Sequence, residues 1–226
     1  FKDFGARFMA RVMSYFNREN SDNLHILVAT SGDTGSAVGS AFHNVPGIDV
    51  TILYPEGKIS PLQEKQLSTF TGNVRALKVK GTFDDCQKLV KTAFVDEDLR
   101  SKFRLSSANS INISRLLPQG FYYMYASLLA KAKSYISNKL EDPAIIVTVP
   151  SGNFGNLTSG LIAQKMGAPI TGFVAATNSN RTIPDWIATG NYEARPSVET
   201  YANAMDVGAP SNYERIAAMY SLEEVR

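Results

Sequence analysis

The stretch Ile145-Ile-Val-Thr-Val-Pro-Ser-Gly-Asn-Phe-Gly-Asn156 has the pattern of a buried strand followed by a short turn with two glycines. Its apolar and β-branched residues do not alternate with polar ones, which predicts a strand buried on both faces and ended by Pro150. Residues 151–156 then form the turn, and Asn156 is the predicted cap of a helix. The apolar residues of that helix are Leu157, Leu161, Ile162 and Met166.

A glycine turn between a strand and a helix serves either as an anion-binding loop or as a structural connection. The first-turn N–H groups of the helix point at one place and bind a phosphate without a cationic side chain. The glycines are equally compatible with turn geometry alone. Their spacing differs from the three-glycine fingerprint of dinucleotide-binding loops, so nothing in this stretch indicates a dinucleotide.

Strands and helices alternate along the sequence on both sides of this stretch. The alternation predicts parallel strands joined by right-handed crossovers, and therefore an α/β fold with a three-layer parallel sheet and helices on both faces. The predicted strands are residues 24–29, 49–54, 74–79, 105–109, 145–149 and 170–177. Besides the helix capped by Asn156, the predicted helices are residues 3–17, 36–42, 62–70, 82–103, 111–138, 184–189 and 213–220.

The composition argues against several classes of protein. The 226 residues contain 23 Lys and Arg against 21 Asp and Glu, and the net charge of +2 gives no argument for a nucleic-acid partner or an anionic membrane. The single cysteine, Cys86, excludes an internal disulfide framework and a cysteine-based zinc site, and we expect it to be a buried small hydrophobe. With only His25 and His43 as histidines, we expect no metal site.

The start of the sequence suggests a fragment or a processed product, because Phe1 lies directly inside a segment with a helical pattern. We see no signal peptide and no apolar run long enough to span a bilayer. Together with the absence of disulfides, this predicts a cytoplasmic protein. The length suits one large domain or two small ones.

Three loops rich in Ser, Thr, Gly and Asn follow predicted strands, at residues 30–35, 55–61 and 151–156. The carboxyl ends of parallel strands form the ligand crevice of such sheets, so we expect these loops at one edge. They suit a small ligand with phosphate and carboxylate groups. Lys2, among aromatic residues, is either a solvated surface lysine or an amine of depressed pKa that can form a Schiff base.

Six segments now carry a resemblance to a known family, and they occur in that family's order over nearly the whole chain. The sequence resembles the threonine synthases, which are pyridoxal-phosphate-dependent lyases of the tryptophan-synthase-β-like fold, also called fold type II. Each segment alone is a weak signal, whereas six in order are specific. The segments are residues 1–4, 29–35, 57–63, 107–115 and 150–156, with 175–178 and 203–206 together as the sixth.

The resemblance implies pyridoxal 5'-phosphate as the cofactor and assigns a role to matching residues. It makes Lys2 the catalytic lysine that also binds the cofactor covalently, and it makes residues 151–156 the cradle of the cofactor phosphate. The cradle residues are Ser151, Gly152, Asn153, Phe154, Gly155 and Asn156. The residues implied on the substrate side of the site are Ser31, Gly32, Asp33 and Thr34.

Asp33 departs from the pattern of related fold type II enzymes, which usually have Asn at this position. That Asn bonds the phenolic oxygen of the cofactor, and an ionised aspartate has no proton to donate to it. Asn109 or Asn112 could replace Asp33 in this role, and both are predicted to lie at the substrate site.

Lys58 and Arg115 are the predicted ligands of the substrate phosphate, with helix-end or surface cations as the alternative for each. Arginine offers a planar bidentate fork and lysine a point charge, and both suit a phosphoryl group. The implied small-molecule substrate is O-phosphohomoserine, which reacts with water by β,γ-elimination and replacement to give threonine and phosphate.

The resemblance also implies how the complete enzyme is divided. Residues 24–140 would belong to a small α/β subdomain and residues 141–226 to part of a larger cofactor-binding domain, with residues 1–23 joining them. Two alternatives stay open: a serine/threonine dehydratase or cysteine-synthase-like enzyme with the same cofactor, and a non-catalytic phosphate-binding α/β module. Only the segments at 57–60 and 109–112 argue against the first, since the lysine and the phosphate loop are shared.

Overall fold

The computed structural model describes residues 2–109, 112–136 and 143–225. They form two compact units, Phe1–Arg115 and Leu116–Arg226. Both units contain parallel strands that alternate with helices, so the predicted α/β class is confirmed. The predicted division of the complete enzyme near residue 140 stays a prediction.

The first unit is a parallel sheet of four strands with helices between them. Its elements are α1 (Lys2–Asn17), β1 (Leu24–Ala29), α2 (Asp33–Phe42), β2 (Ile48–Pro55), α3 (Pro61–Ser68), β3 (Val74–Val79), α4 (Phe83–Val95), α5 (Glu97–Lys102) and β4 (Arg104–Ser107), and α6 (Ile113–Leu116) crosses into the second unit. The strands lie in the order β3–β2–β1–β4. In this register Leu24 lies opposite Ile48 of β2 and Arg104 of β4.

Both faces of the four-stranded sheet are covered by helices, as the three-layer prediction requires. Ile26 of β1 is buried in a cluster that includes Met9 of α1. The next residue, Leu27, faces the other side and packs in the cluster that contains Cys86 of α4. Burial raises the pKa of the Cys86 thiol to about 11, so the side chain is a neutral, buried small hydrophobe as expected.

The second unit contains two paired parallel strands and several helices. Its elements are a 3₁₀ turn (Leu117–Gln119), α7 (Gly120–Ile136), β5 (Ile146–Pro150), α8 (Gly155–Lys165), β6 (Gly172–Ala176), α9 (Thr182–Thr189), a second 3₁₀ turn (Asn203–Met205), α10 (Tyr213–Met219) and α11 (Leu222–Val225). Ile146 lies opposite Gly172, and Pro150 lies opposite Ala176. The strand ends at Pro150 as predicted, with Pro150 as the last residue of the ladder. The N–H of Ser151, one residue later, donates to the Ala176 carbonyl at 2.8 Å.

Two long helices predicted from the sequence are each interrupted. Asp96 separates α4 from α5, because its extended backbone ends one helix while its side chain accepts the Leu99 N–H at 2.9 Å and caps the next. Pro118 lies in the 3₁₀ turn that separates α6 from α7. Residues 110–111 and 137–142, which include the ends of the predicted helix 111–138, lie outside the described residues.

The apolar pattern of the predicted helix 111–138 places seven residues on its core side, and five of them are exposed, so this prediction was largely wrong; the seven are Leu116, Leu117, Phe121, Met124, Leu128, Leu129 and Ile136. Tyr123 and Ser127 are buried, whereas Phe121, Leu128 and Ile136 are exposed. Helix α7 approaches α8 closely at Gly120. A Cβ at Gly120 would lie 3.3 Å from the Ser159 carbonyl oxygen. None of the helices in the described part of the chain is long and apolar enough to cross a membrane.

Candidate active site

Lys2 begins α1, and the packing of α1 on α2 brings its amine to the start of α2. The Lys2 Nζ lies 3.9 Å from the Asp33 Oδ2. Burial lowers the pKa of the Lys2 amine, Asp33 partly opposes this shift, and the positive charge of Arg115 lowers the pKa further. A lysine of lowered pKa supplies more of the neutral, nucleophilic amine at a given pH.

Arg115 is a buried cation near the Lys2 amine, with a side chain only 3% exposed. Its Nη1 donates to the Ala108 carbonyl at 2.7 Å, and its Nη2 donates to the Thr34 Oγ1 at 3.5 Å. Burial lowers the pKa of Arg115 to about 10, so the guanidinium stays positively charged at neutral pH. It is therefore not one of the solvated surface cations that the sequence left as an alternative.

The turn between β1 and α2 is fixed from inside by one buried hydroxyl. The Thr30 Oγ1 accepts the N–H of Gly32 at 3.0 Å and that of Gly35 at 2.8 Å. Gly32 has a φ of 133°, which favours glycine, and a Cβ there would overlap the side-chain amide of Gln63. This turn holds Asp33 and Thr34 at the first turn of α2, facing Lys2 and Arg115 respectively.

Asn109 and Asn112 use their side chains to bond backbone groups. The Asn109 Nδ2 donates to the Ala29 carbonyl at 2.8 Å, and its Oδ1 accepts the Ala29 N–H at 3.3 Å. The Asn112 Nδ2 donates to the Ser107 carbonyl at 2.8 Å. Both amides thus extend the carboxyl ends of β1 and β4, and their predicted contacts with a substrate stay predictions.

Lys58 is an exposed residue of the loop after β2. In the described part of the chain, no hydrogen bond or ion pair joins its side chain to the group formed by Lys2, Asp33, Thr34 and Arg115. The structure thus brings together four of the predicted site residues in the first unit, and the predicted role of Lys58 stays a prediction.

The predicted phosphate loop lies in the second unit, between the end of β5 and the start of α8. Asn156 was predicted to cap α8, but the capping position is Phe154, whose backbone is left-handed with φ 58° and ψ 9°. Because this turn starts the helix at Gly155, Asn156 lies in the first turn. Its Oδ1 accepts the Tyr123 hydroxyl at 2.7 Å.

The loop is also held from the side by the segment around residues 203–212. A Cβ at Gly152 would lie 2.6 Å from the Met205 Cα and 2.7 Å from its carbonyl oxygen. The Asn153 Oδ1 accepts the Ser211 N–H at 2.6 Å, and the Asn212 Nδ2 donates to the Asn153 carbonyl at 3.0 Å. Gly152 is therefore needed for a close approach of two backbones, which the sequence alone did not indicate.

Asp206 organises the segment that approaches Gly152. Its carboxylate accepts the Thr200 hydroxyl at 2.6 Å, the Thr200 N–H at 2.8 Å and the Asn178 Nδ2 at 2.8 Å. Asn178 and Asp206 both belong to the sixth segment of the resemblance. Their role in the structure is to fix the chain next to the predicted phosphate loop.

Sequence reasoning missed Gln63 and Tyr123 at these sites. Gln63 stands three residues after Ser60, the spacing of a capping box, and this spacing could have revealed its bond to the Ser60 N–H. Its second bond, to Asp33, joins residues 30 positions apart and has no local sequence signature. The bond between Tyr123 and Asn156 joins residues 33 positions apart and also has no local sequence signature.

The residues present in each unit fit pyridoxal phosphate. In the second unit, residues 151–156 present first-turn N–H groups of α8 and contain no acidic side chain that would repel a phosphate. In the first unit, Lys2 provides an amine of lowered pKa for an aldehyde.

This fold and these residues define a class, and the chain belongs to the pyridoxal-phosphate dependent enzyme family, which it matches over residues 1–225. It is 49% identical over 220 residues to the threonine synthase of Buchnera aphidicola subsp. Baizongia pistaciae, covering 97% of this chain and 50% of that protein. The chain therefore spans about half the length of this relative.

Two solved structures of threonine synthases are similar to the whole chain. The crystal structure from Escherichia coli has a TM-score of 0.86 at 45% identity, with 100% of this chain and 52% of that chain covered. The pyridoxal-phosphate-bound structure from Brucella melitensis has a TM-score of 0.81 at 39% identity, with 100% and 48% covered. The expected fold type is thereby confirmed.

Proposed function

We propose that the protein to which this chain belongs is a threonine synthase, which converts O-phosphohomoserine and water into threonine and phosphate. The observation that carries the proposal is an identity of 49% to a threonine synthase over 97% of the chain. Solved structures of other enzymes with this fold are much less similar, as with the serine racemase of Dictyostelium discoideum at 19% identity. That likeness supports the fold alone.

The family resemblance gives the cofactor two sets of ligands, Lys2 and residues 151–156. Lys2 would bind its aldehyde carbon, which the lowered pKa of the Lys2 amine favours. Residues 151–156 would bind its phosphate through the N–H groups at the start of α8. The Asp33 Oδ1 accepts the Gln63 Nε2 at 2.8 Å, so Asp33 acts as a hydrogen-bond acceptor and would not replace the Asn of related enzymes as a donor.

When bound, pyridoxal phosphate supplies an electron sink for the negative charge that develops next to the substrate amino group. Lys2 would exchange protons with the substrate carbons, since the pKa of its amine is lower than that of an ordinary lysine. Ser31 and Thr34 would bind the substrate carboxylate with hydroxyl and N–H groups. Asn109 and Asn112 would position the ends of β1 and β4 around the substrate.

Arg115 and Lys58 would bind the phosphate that leaves the substrate. Arg115 supports this proposal by its position, because a buried guanidinium bonded to Thr34 stays charged and oriented. Lys58 is exposed in its loop, and its ammonium group would be the second cation. Two cations of this kind would stabilise the charge that develops on the departing phosphate.

The proposal is tested by incubating the protein with pyridoxal phosphate and O-phosphohomoserine. We expect threonine and inorganic phosphate to form in equal amounts. Formation of 2-oxo acids from serine or threonine, without use of O-phosphohomoserine, would instead identify a dehydratase. If the protein binds nucleotides and acquires no absorbance from bound cofactor, it is a phosphate-binding module and the proposal fails.

Arg115→Ala should lower kcat/KM for O-phosphohomoserine by about tenfold to a hundredfold, because a charge-assisted bond to phosphate contributes roughly 1.5–3 kcal/mol. The absorbance of the bound cofactor should not change. Steady-state kinetics and a cofactor spectrum on the same preparation check both statements. Some loss of stability is also expected, since the Ala108 carbonyl loses its donor.

Arg104→Ala is the matched control for this variant. Arg104 begins β4 in the same unit and donates to the Asn17 side chain at 2.6 Å, so its loss also removes a long-range arginine bond. We expect Arg104→Ala to leave kcat/KM within about twofold of the unmodified protein. Equal kinetic losses in the two variants would show that Arg115 acts only on stability.

A further inference from the structure

Gln63 connects the start of α3 to the residues around Lys2. Its Oε1 accepts the Ser60 N–H at 2.9 Å, which completes the capping box of α3. Its Nε2 donates to the Asp33 Oδ1 at 2.8 Å. Gly32 makes room for this contact, because a side chain there would overlap the Gln63 amide.

The bond from Gln63 fixes a carboxylate that is otherwise weakly held. The Asp33 side chain is 51% exposed, and Gln63 is its only side-chain hydrogen-bond donor in the described part of the chain. With Oδ1 bonded to Gln63, Oδ2 is the oxygen that lies 3.9 Å from the Lys2 Nζ. Released from Gln63, the carboxylate could turn toward water and away from the amine.

We infer that Gln63 is a positioning residue, which holds the Asp33 carboxylate against the Lys2 amine and so sets the reactivity of that amine. Two charged groups act on the amine in the structure, Asp33 and Arg115, with opposite effects on its protonation. Asp33 is the exposed one of these two groups, and Gln63 holds its carboxylate through a hydrogen bond. Arg115 is buried and is bonded to Ala108 and Thr34.

Two substitutions of Gln63 separate this role from helix capping. Gln63→Glu keeps an oxygen for the Ser60 N–H, because Glu and Gln both complete a capping box. It removes the donor to Asp33 and adds a negative charge beside it, which favours the protonated amine of Lys2. Gln63→Met removes the donor without adding charge, so Asp33 turns to solvent and no longer favours protonation.

The test measures the reactivity of Lys2 in cofactor-free protein. Each variant is pulse-labelled with acetic anhydride over a range of pH, and the labelling of the peptide that contains Lys2 is followed by mass spectrometry. The exposed Lys65 serves as internal reference. At a fixed pH below the midpoint, Lys2 should be labelled about threefold to tenfold more slowly in Gln63→Glu and about threefold faster in Gln63→Met.

Ser60→Ala is the control, because it removes the hydroxyl that accepts the Gln63 N–H at 3.2 Å and leaves the bond to Asp33 intact. We expect it to lower stability without changing the labelling of Lys2. Unchanged labelling in Gln63→Met would overturn the inference, because the charge added in Gln63→Glu slows labelling whether or not Gln63 positions Asp33. So would a change in Ser60→Ala equal to those of the Gln63 variants, since Gln63 would then act only as a cap.

The inference deepens the proposed function, since it concerns the lysine that would hold the cofactor. Its test uses neither the cofactor nor a substrate. A protein without threonine synthase activity could still show the expected labelling, and an active one could fail to show it. The two failures are therefore distinguishable.

Discussion

Lys2→Ala should abolish covalent attachment of pyridoxal phosphate and lower turnover of O-phosphohomoserine by about a thousandfold or more. The variant removes the amine that lies beside Asp33 and near the buried Arg115 in the described part of the chain. Borohydride reduction followed by peptide mapping checks the attachment, because reduction fixes the cofactor to the lysine that carries it. Steady-state assays with threonine as the product check turnover.

Lys65→Ala is the matched control for this experiment. Lys65 is an exposed lysine of α3 in the same unit, and its removal should leave both attachment and turnover unchanged. A reduced cofactor found on any lysine other than Lys2 would refute the assignment. Stability should be little affected in Lys2→Ala, since the ion pair with Asp33 is long and half exposed.

Gly152→Ala should have the second-largest effect, on the affinity for pyridoxal phosphate. The new Cβ would lie 2.6 Å from the Met205 Cα and 2.9 Å from its carbonyl carbon, and neither is the end of a flexible side chain. Met205 lies in a 3₁₀ turn that Asp206 fixes, so the phosphate loop must move instead. Overpacking of this kind costs about 1–3 kcal/mol.

The affinity should fall by tenfold or more, because a displaced loop no longer directs its N–H groups at one phosphate. Titration of the apo-protein with the cofactor, read by absorbance, measures this affinity. Gly172→Ala is the control: a Cβ there meets no atom within 4 Å, and the residue begins β6 in the same unit. If Gly152→Ala lowers the melting temperature but leaves the affinity unchanged, the loop is only a structural turn.

The sequence predicted best those elements that are determined by local composition. Strands β1 and β3 begin and end where the sequence predicted them, since turn residues bound each of them, with Asn23 before β1 and Asn73 before β3. Helix α3 begins at Pro61, one residue before the predicted range 62–70, with Ser60 as its N-cap. The break at Asp96 was missed because aspartate is compatible with a helix interior, and its cap depends on an extended backbone that composition does not reveal.

The candidate site was predictable only in part, because its residues are joined by long-range contacts. Lys2 was identified through the family resemblance, since its pattern alone is also that of a surface lysine. Buried Arg115 donates to the backbone carbonyl of Ala108. A bond to a backbone atom leaves no pattern in the sequence from which it could be predicted. The bond between Gln63 and Asp33 arises only when α3 packs on α2.

The left-handed backbone at Phe154 has a consequence for the thermodynamics of cofactor binding. A bulky residue in this conformation is strained, and it persists only where its surroundings hold it. The Phe154 side chain is 3% exposed in the core of the second unit, and its carbonyl accepts both the N–H and the hydroxyl of Thr158, at 2.9 and 2.7 Å. The loop is therefore preorganised. A phosphate that binds it loses little free energy to ordering the chain, because that entropy is already spent when the unit folds.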